Sequence, residues 1–437
     1  KISITDSATY VNTGFAPARF GKYLDFVKDG TSLVVSAPSS RDGQGDIFFF
    51  DTSSTTTTTQ KASPFTNPSG ESQNMFGSMV GISDDFTRLF IGDPGHGSGV
   101  GRIIVTGYDG SSWGTPQYIT RNGSPEGILN TNVKFGQTFD ISGDGDYLIS
   151  SFFGEGSTNT LLDFVSYYNT NSGVDIAEVW QRNKDTNTWG VKSTIPLRLK
   201  TGTNISVPQG VTSIPHQLGS SISANLAGNE GFGYCVDCTT LGDGTLRFVA
   251  SAPYAFDGPD SVGGVLVFDY DAANNTWTQV GQTIYGSQNN GYFGVCVAIA
   301  QYTGTRIVIG EEKGANPPGG FVEVWDYDIA TNSWQLVGNR ITQTKNNRSN
   351  DYIGRFVDIS GDGSRVITGA RGHDFIVPFG GSNYNTGAVY QYTYNGTSWS
   401  LVGDNAFSGL TSEGNNWDSE RCAISANGQH RVLASID

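Results

Sequence analysis

Carboxylates gather in stretches of this chain rich in Gly, Pro and Asn: Glu155, Asp257, Asp260, Glu311, Glu312 and Asp374. Two carboxyl groups facing each other across a sugar, one with a raised pKa, could cleave a glycosidic bond. The spacing of these six selects no such pair, and acidic loops more often serve as solvated edges. Two histidines, His96 and His373, stand at matching places in Pro94-Gly95-His96 and Arg371-Gly372-His373. Together with Tyr254, they give a ligand-facing set of His96, Arg371, His373, Asp374, Tyr254, Asp257, Glu311 and Glu312. The plainer reading of the two histidines is a pair of turn-shaped loops that tolerate His.

Asp140, Ser142, Asp144 and Asp146 alternate around Gly143 and Gly145, and Asp358, Ser360 and Asp362 repeat part of the pattern. Alternating oxygen donors about a glycine can cage a hard cation, so Asp140, Asp144 and Asp146 are candidate calcium ligands. Ser-Gly-Asp-Gly is equally what a tight hairpin turn requires with no ion, because Gly and Asp tolerate positive φ. Cys235 and Cys238 form a C-x-x-C, but residues three apart on a strand point to opposite faces and cannot share a metal or a redox bond. Cys235 and Cys296 occupy the same slot, three past a Phe, in successive copies of a repeat. That slot allows an inter-blade disulfide, or two buried thiols acting as small apolar residues.

The repeat is what must position these groups. Phe20-Gly21, Phe76-Gly77, Phe135-Gly136, Phe232-Gly233, Phe293-Gly294 and, more loosely, Ile353-Gly354 and Trp417-Asp418 each open an apolar stretch. A tight Gly/Asp turn and a second apolar stretch follow, then a β-rich run entered through Gly, then a fourth strand starting at Trp. Trp113, Trp189, Trp277, Trp334 and Trp399 share that last slot. Four short strands per copy, repeated radially, predict an all-β, seven-bladed β-propeller of four-stranded antiparallel blades. The expected single domain spans 1-437, with blades near 15-70, 71-125, 126-200, 201-287, 288-347, 348-410 and 411-437 plus 1-14. The last copy ends after its second strand, so the N-terminal strands are expected to complete that blade and remove its open edge.

The Phe-Gly openings, with Ser36-Ala37-Pro38, Gly92-Asp93-Pro94 and Ser251-Ala252-Pro253, resemble the FG-GAP repeat of integrin-alpha-type propellers over nearly the whole chain. The turn from Asp326-Tyr327-Asp328 to Trp334 is similar to kelch repeats. The resemblance implies an extracellular propeller used for adhesion or ligand binding, and calcium in the first hairpins, although the hairpins here are short.

Composition narrows the partners. With 26 Lys plus Arg against 41 Asp plus Glu, the formal net charge of -15 repels nucleic acid and anionic membrane surfaces. No run of 18 or more apolar residues is present to span a bilayer, so direct membrane insertion is not expected. Sequons at Asn122, Asn204, Asn274, Asn347 and Asn395 fall in predicted turns and suit a glycoprotein on an eukaryotic secretory route. The leading expectation is a non-enzymatic recognition or adhesion module, secreted or surface-exposed, binding a protein or glycan through its loop face. The alternatives are a structural part of an appendage, fibre or virion, within a larger surface assembly, and a carbohydrate-active enzyme.

Overall fold

In a computed structural model of the chain, the described residues are 20–27, 29–54, 59–71, 75–120, 134–152, 176–196, 231–271, 276–313, 319–342, 352–370, 375–376, 382–383, 388–402, 407–408 and 421–434. They form a β-propeller. Six sheets each contain four strands that run outward in chain order, every neighbouring pair antiparallel. The first blade comprises Leu24–Phe26, Ser32–Ala37, Asp46–Asp51 and Thr59–Thr66, and the fifth Phe293–Ile299, Arg306–Glu311, Phe321–Asp328 and Ser333–Leu336. The connection between second and third strands carries a single helical turn in the first two blades, Ser40–Gly43 and His96–Gly99. In the fourth and sixth blades it carries a short hairpin instead.

Six four-stranded blades are described where the sequence predicts seven. The last repeat contributes a two-stranded sheet, Arg421–Ile424 paired with Arg431–Ala434. This pair bridges the sixth blade and the first. Gly361 N donates to Ala426 O at 2.7 Å and Ile424 N to Asp358 Oδ2 at 2.7 Å, while Asn427 Nδ2 donates to Asp29 O at 2.6 Å. Residues 1–14, expected to complete that sheet, lie outside the described residues.

The Phe-Gly slot has a definite physical role. Phe76, Phe135, Phe232 and Phe293 are at most 1 % exposed and fill the wedges between blades. The glycines after them, Gly77, Gly136, Gly233 and Gly294, take φ of 80°, 88°, 79° and 86°, a region that side chains resist. The turn lets each inner strand leave the wedge for the axis, and in the fifth and sixth blades it appears as a register slip after Phe293 and Ile353.

Two further interlocks join the blades. After the first hairpin of four blades an Arg reaches the next blade's turn: Arg88 Nη1 to Asp144 O at 2.5 Å, Arg247 Nη1 to Gly304 O at 2.9 Å, Arg306 Nη1 to Gly363 O at 2.9 Å, and Arg365 Nη1 to Gly428 O. At the rim, Trp indoles reach back to the preceding blade: Trp334 Nε1 to Val280 O at 2.8 Å and Trp399 Nε1 to Val337 O at 3.0 Å. Trp113, with Nε1 to Ser63 O at 3.3 Å, joins Trp334 and Trp399 as a rim latch, whereas the Trp189 indole finds no acceptor among the described residues.

Candidate functional site: the axial channel

The inner strands enclose a channel of about 330 Å³ along the propeller axis. Its wall is set by counting from the Phe of each repeat. The residue five places on turns inward, and in four copies it is an aspartate: Asp25, Asp140, Asp237 and Asp358 all line the channel. Gly81 and Ala298 take that slot in the second and fifth copies. Each aspartate also braces a seam by accepting a backbone N–H from the following blade. Asp140 accepts from Cys238 N, Asp237 from Ile299 N and Asp358 from Ile424 N, all at 2.7 Å, and Asp25 from Ile82 N at 3.3 Å.

Protein surrounds these carboxyls even though water can touch them through the channel, and the loss of bulk solvation sets their acidity. Burial pushes Asp25 up to about 7 against an ordinary 3.8. Burial raises Asp358 well above the carboxylate range. Asp140 is likewise raised well above it, first by burial and then by the negative charge of Asp237. Asp140 and Asp237 are hydrogen-bonded to each other, and the bond opposes part of the burial that raises Asp237. The contact raises Asp140 and lowers Asp237, so of the two carboxyls Asp140 holds a proton more tightly. Gln301 Nε2 adds a donor to Asp237 Oδ1 at 3.4 Å.

Residues two places past the Phe line the same channel nearer its loop-face mouth: Lys22, Ser78, Gln137, Tyr234, Val295 and Arg355. Arg355 is held by Glu312, with Nη1 to Oε2 at 2.8 Å, and approaches the Tyr234 hydroxyl at 3.5 Å. Tyr254 packs edge-on to Tyr292 with ring centroids 5.4 Å apart, and Lys313 Nζ lies 5.0 Å from the Tyr292 ring centre. Burial drives the Tyr254 hydroxyl pKa up, so it stays a donor across neutral pH.

The residues singled out in the sequence scatter over this frame. Glu312 and Tyr254 join the mouth cluster. Glu311 is turned the other way, fully buried towards Gly291, with no donor on either oxygen among the described residues, and burial pushes it up to about 8. His96 sits in its helical turn, Nδ1 3.0 Å from Glu71 Oε2 and Nε2 3.3 Å from Arg102, which pairs with Asp93 at 2.8 Å. Asp257 is an exposed residue of the short fourth-blade hairpin. Arg371, His373, Asp374 and Glu155 lie outside the described residues, as do Asn122, Asn204, Asn274 and Asn347. Asn395 is exposed and caps its own turn, with Oδ1 accepting from Thr397 N at 2.9 Å.

The three candidate calcium ligands do not converge. Asp140 faces the channel, Asp144 closes the turn by accepting from Ser142 Oγ at 2.6 Å, and Asp146 is held by Arg182 at 2.7 Å and Lys184 at 2.6 Å. Hydroxyl and basic donors hold Asp144 and Asp146 in a tight turn, and the three carboxylates are not brought together around one point. No three His, Cys, Asp or Glu side chains group as metal ligands among the described residues. The channel aspartates escaped the sequence reading because it grouped Asp140 and Asp358 with their turns. The available signal was their constant distance from the Phe.

No family model matches the chain, and no curated protein does. Solved structures match it over most of their length. A Bacteroides uniformis protein provisionally described as a 6-phosphogluconolactonase is similar with a TM-score of 0.52 at 11% identity, covering 92% of this chain and 88% of its own. An oligogalacturonate lyase of Vibrio parahaemolyticus gives 0.49 at 12%, covering 96% and 87%. An oligogalacturonate lyase in complex with manganese gives 0.49 at 12%, covering 96% and 90%. At such identities the likeness is one of fold, and it places the chain in the class of β-propellers. The solved structures so matched carry enzyme names and not those of adhesion modules, so the expected adhesion module and the expected lack of enzymatic activity find no support in them.

Proposed function

We propose that this protein is a carbohydrate-active enzyme whose site is the axial channel and its loop-face mouth. The observation that carries the proposal is the pairing of Asp140 and Asp237 in the channel wall, two buried carboxyls of raised pKa whose contact favours the proton on Asp140. A carboxylic acid kept protonated beside an ionised one supplies a general acid and a general base within one site. Asp237 would take a proton from water or a sugar hydroxyl, and Asp140 would deliver one to a departing oxygen. A cavity of about 330 Å³ accommodates one sugar unit. Hydroxyl and guanidinium donors at the mouth, from Tyr234 and Arg355, suit a polyhydroxylated ligand. The fold likeness to proteins with sugar-acid enzyme names agrees with this class of substrate.

Turnover on a panel of polysaccharides, oligosaccharides and sugar lactones tests the proposal. Asp237→Asn and Asp140→Asn, each checked for native circular dichroism, should lower kcat at least a hundredfold on any substrate found. Folded variants that retain wild-type turnover would refute the assignment. The same reading of the ring has residues 1–14 completing the last blade. Removing them should lower the melting temperature by exposing the edges of the Arg421–Ala434 pair. An unchanged melting temperature would oppose that closure.

A further inference from the structure

Cys235 and Cys296 face each other across the seam between the fourth and fifth blades, with Sγ atoms 3.8 Å apart. Both line the axial channel. Backbone geometry holds them there. The register slip between Phe293 and Cys296 turns Cys296 inward, Val297 N donates to Cys235 Sγ at 3.4 Å, and Cys296 Sγ points at Val357 O at 3.7 Å. The other two cysteines belong to different surroundings. Cys238 lies in the core cluster with Phe248 and Phe268, and Cys422 packs with Ile367 and Val389.

We propose that Cys235 and Cys296 form an oxidative modification site, closing to a reversible inter-blade disulfide when a hydroperoxide enters the channel. Cys235 is the more accessible of the two, Cys296 being only 7 % exposed, so the peroxide meets Cys235 first. The Cys235 sulfur attacks one peroxide oxygen and the O–O bond breaks, leaving a sulfenic acid and releasing one water. Cys296 then attacks the sulfenic sulfur, the S–S bond forms, the S–O bond breaks and a second water leaves. Two thiols are oxidised by two electrons, and one hydrogen peroxide is reduced to two waters. The sulfurs must close by about 1.8 Å to reach bonding distance, a shift that rotation about the Cα–Cβ bonds supplies. Cys235 lies two residues before Asp237, and both line the channel, so closure acts on the wall beside that carboxylate. The modification is independent of whether the carboxylates catalyse.

The experiment is peptide mapping of the full-length protein. The chain is treated with hydrogen peroxide, blocked with an alkylating agent and digested without reductant. The expected product joins the Cys235 and Cys296 peptides with loss of two hydrogens, and dithiothreitol separates them. Cys235→Ser should abolish the cross-link and leave Cys296 open to alkylation. Should that variant fail to fold, the wild-type map decides alone. A cross-link through Cys238 or Cys422, a sulfinic acid at Cys235 without cross-linking, or two thiols still alkylated after peroxide would each overturn the proposal.

Discussion

Asp140 meets Asp237 across the seam between the third and fourth blades, where burial and the Asp237 charge raise the Asp140 carboxyl well above its ordinary range. Each also accepts a backbone N–H at 2.7 Å from the blade that follows it. One pair of side chains therefore both seams the ring and stores a proton inside it. Asn in place of Asp140 retains an N–H donor towards Asp237 and an oxygen towards Cys238 N. Asp140→Asn should accordingly keep its melting temperature within a few degrees of wild type. Asp140→Ala removes the acceptor that Cys238 N has across the seam and leaves Cys238 N only Asp237 Oδ1, at a cost of about 1–3 kcal/mol. Equal melting temperatures for the two variants in thermal unfolding would argue against this pairing across the seam.

Asp25 makes the pH dependence of stability testable. Burial raises its pKa from 3.8 to about 7, so the folded state holds the proton more tightly than the unfolded chain does. Its contribution is fully present below the unfolded value and declines as pH rises from about 4 through 7. Wild type and Asp25→Asn should match near pH 4. The variant should be the more stable at pH 8, by on the order of 1 kcal/mol once screening by channel water is allowed for. Denaturant titrations at the two pH values measure the difference, and a gap that does not change with pH contradicts the raised pKa.

What could be read in the sequence was the wedge, because Phe-Gly carries two physical demands at once: a ring to bury and a backbone at positive φ. The Trp slot was legible as a position, and its purpose, an indole N–H returned to the preceding blade, emerged only when two repeats lay side by side. The channel aspartates were hidden for a related reason. Asp140 and Asp144 are equivalent in composition, but four residues of strand separate an inward carboxyl from a turn cap, and only the ring converts that spacing into a difference of environment. His96 drew attention through its matching place with His373 and Asp257 through its loop, and neither lines the channel wall.

Arg247 should prove hard to replace. Its side chain is only 7% exposed, and it forms two bonds to Asp269, at 2.7 and 2.8 Å, while Nη1 donates to Gly304 O in the next blade. Lysine can keep the charge but cannot make the planar two-point contact and the inter-blade bond together. Arg247→Lys is expected to cost about 1–2 kcal/mol and Arg247→Ala about 3 kcal/mol, read from urea midpoints at constant m. A lysine variant as stable as wild type would show that charge alone sets this contact.

Gly136 tests the wedge itself. Its φ of 88° is a conformation that alanine resists, and a Cβ there would lie 2.4 Å from Arg102 O, a backbone atom that cannot swing aside. Gly136→Ala should therefore destabilise by about 2–4 kcal/mol, combining backbone strain with displacement of the second blade. Gly110 supplies the control, with a φ of 96° but nothing within 4 Å of its Cβ position. Gly110→Ala pays for strain alone and should cost only about 1 kcal/mol. If thermal unfolding gave the two variants the same loss, close approach between blades would not be why the repeat requires glycine after its Phe.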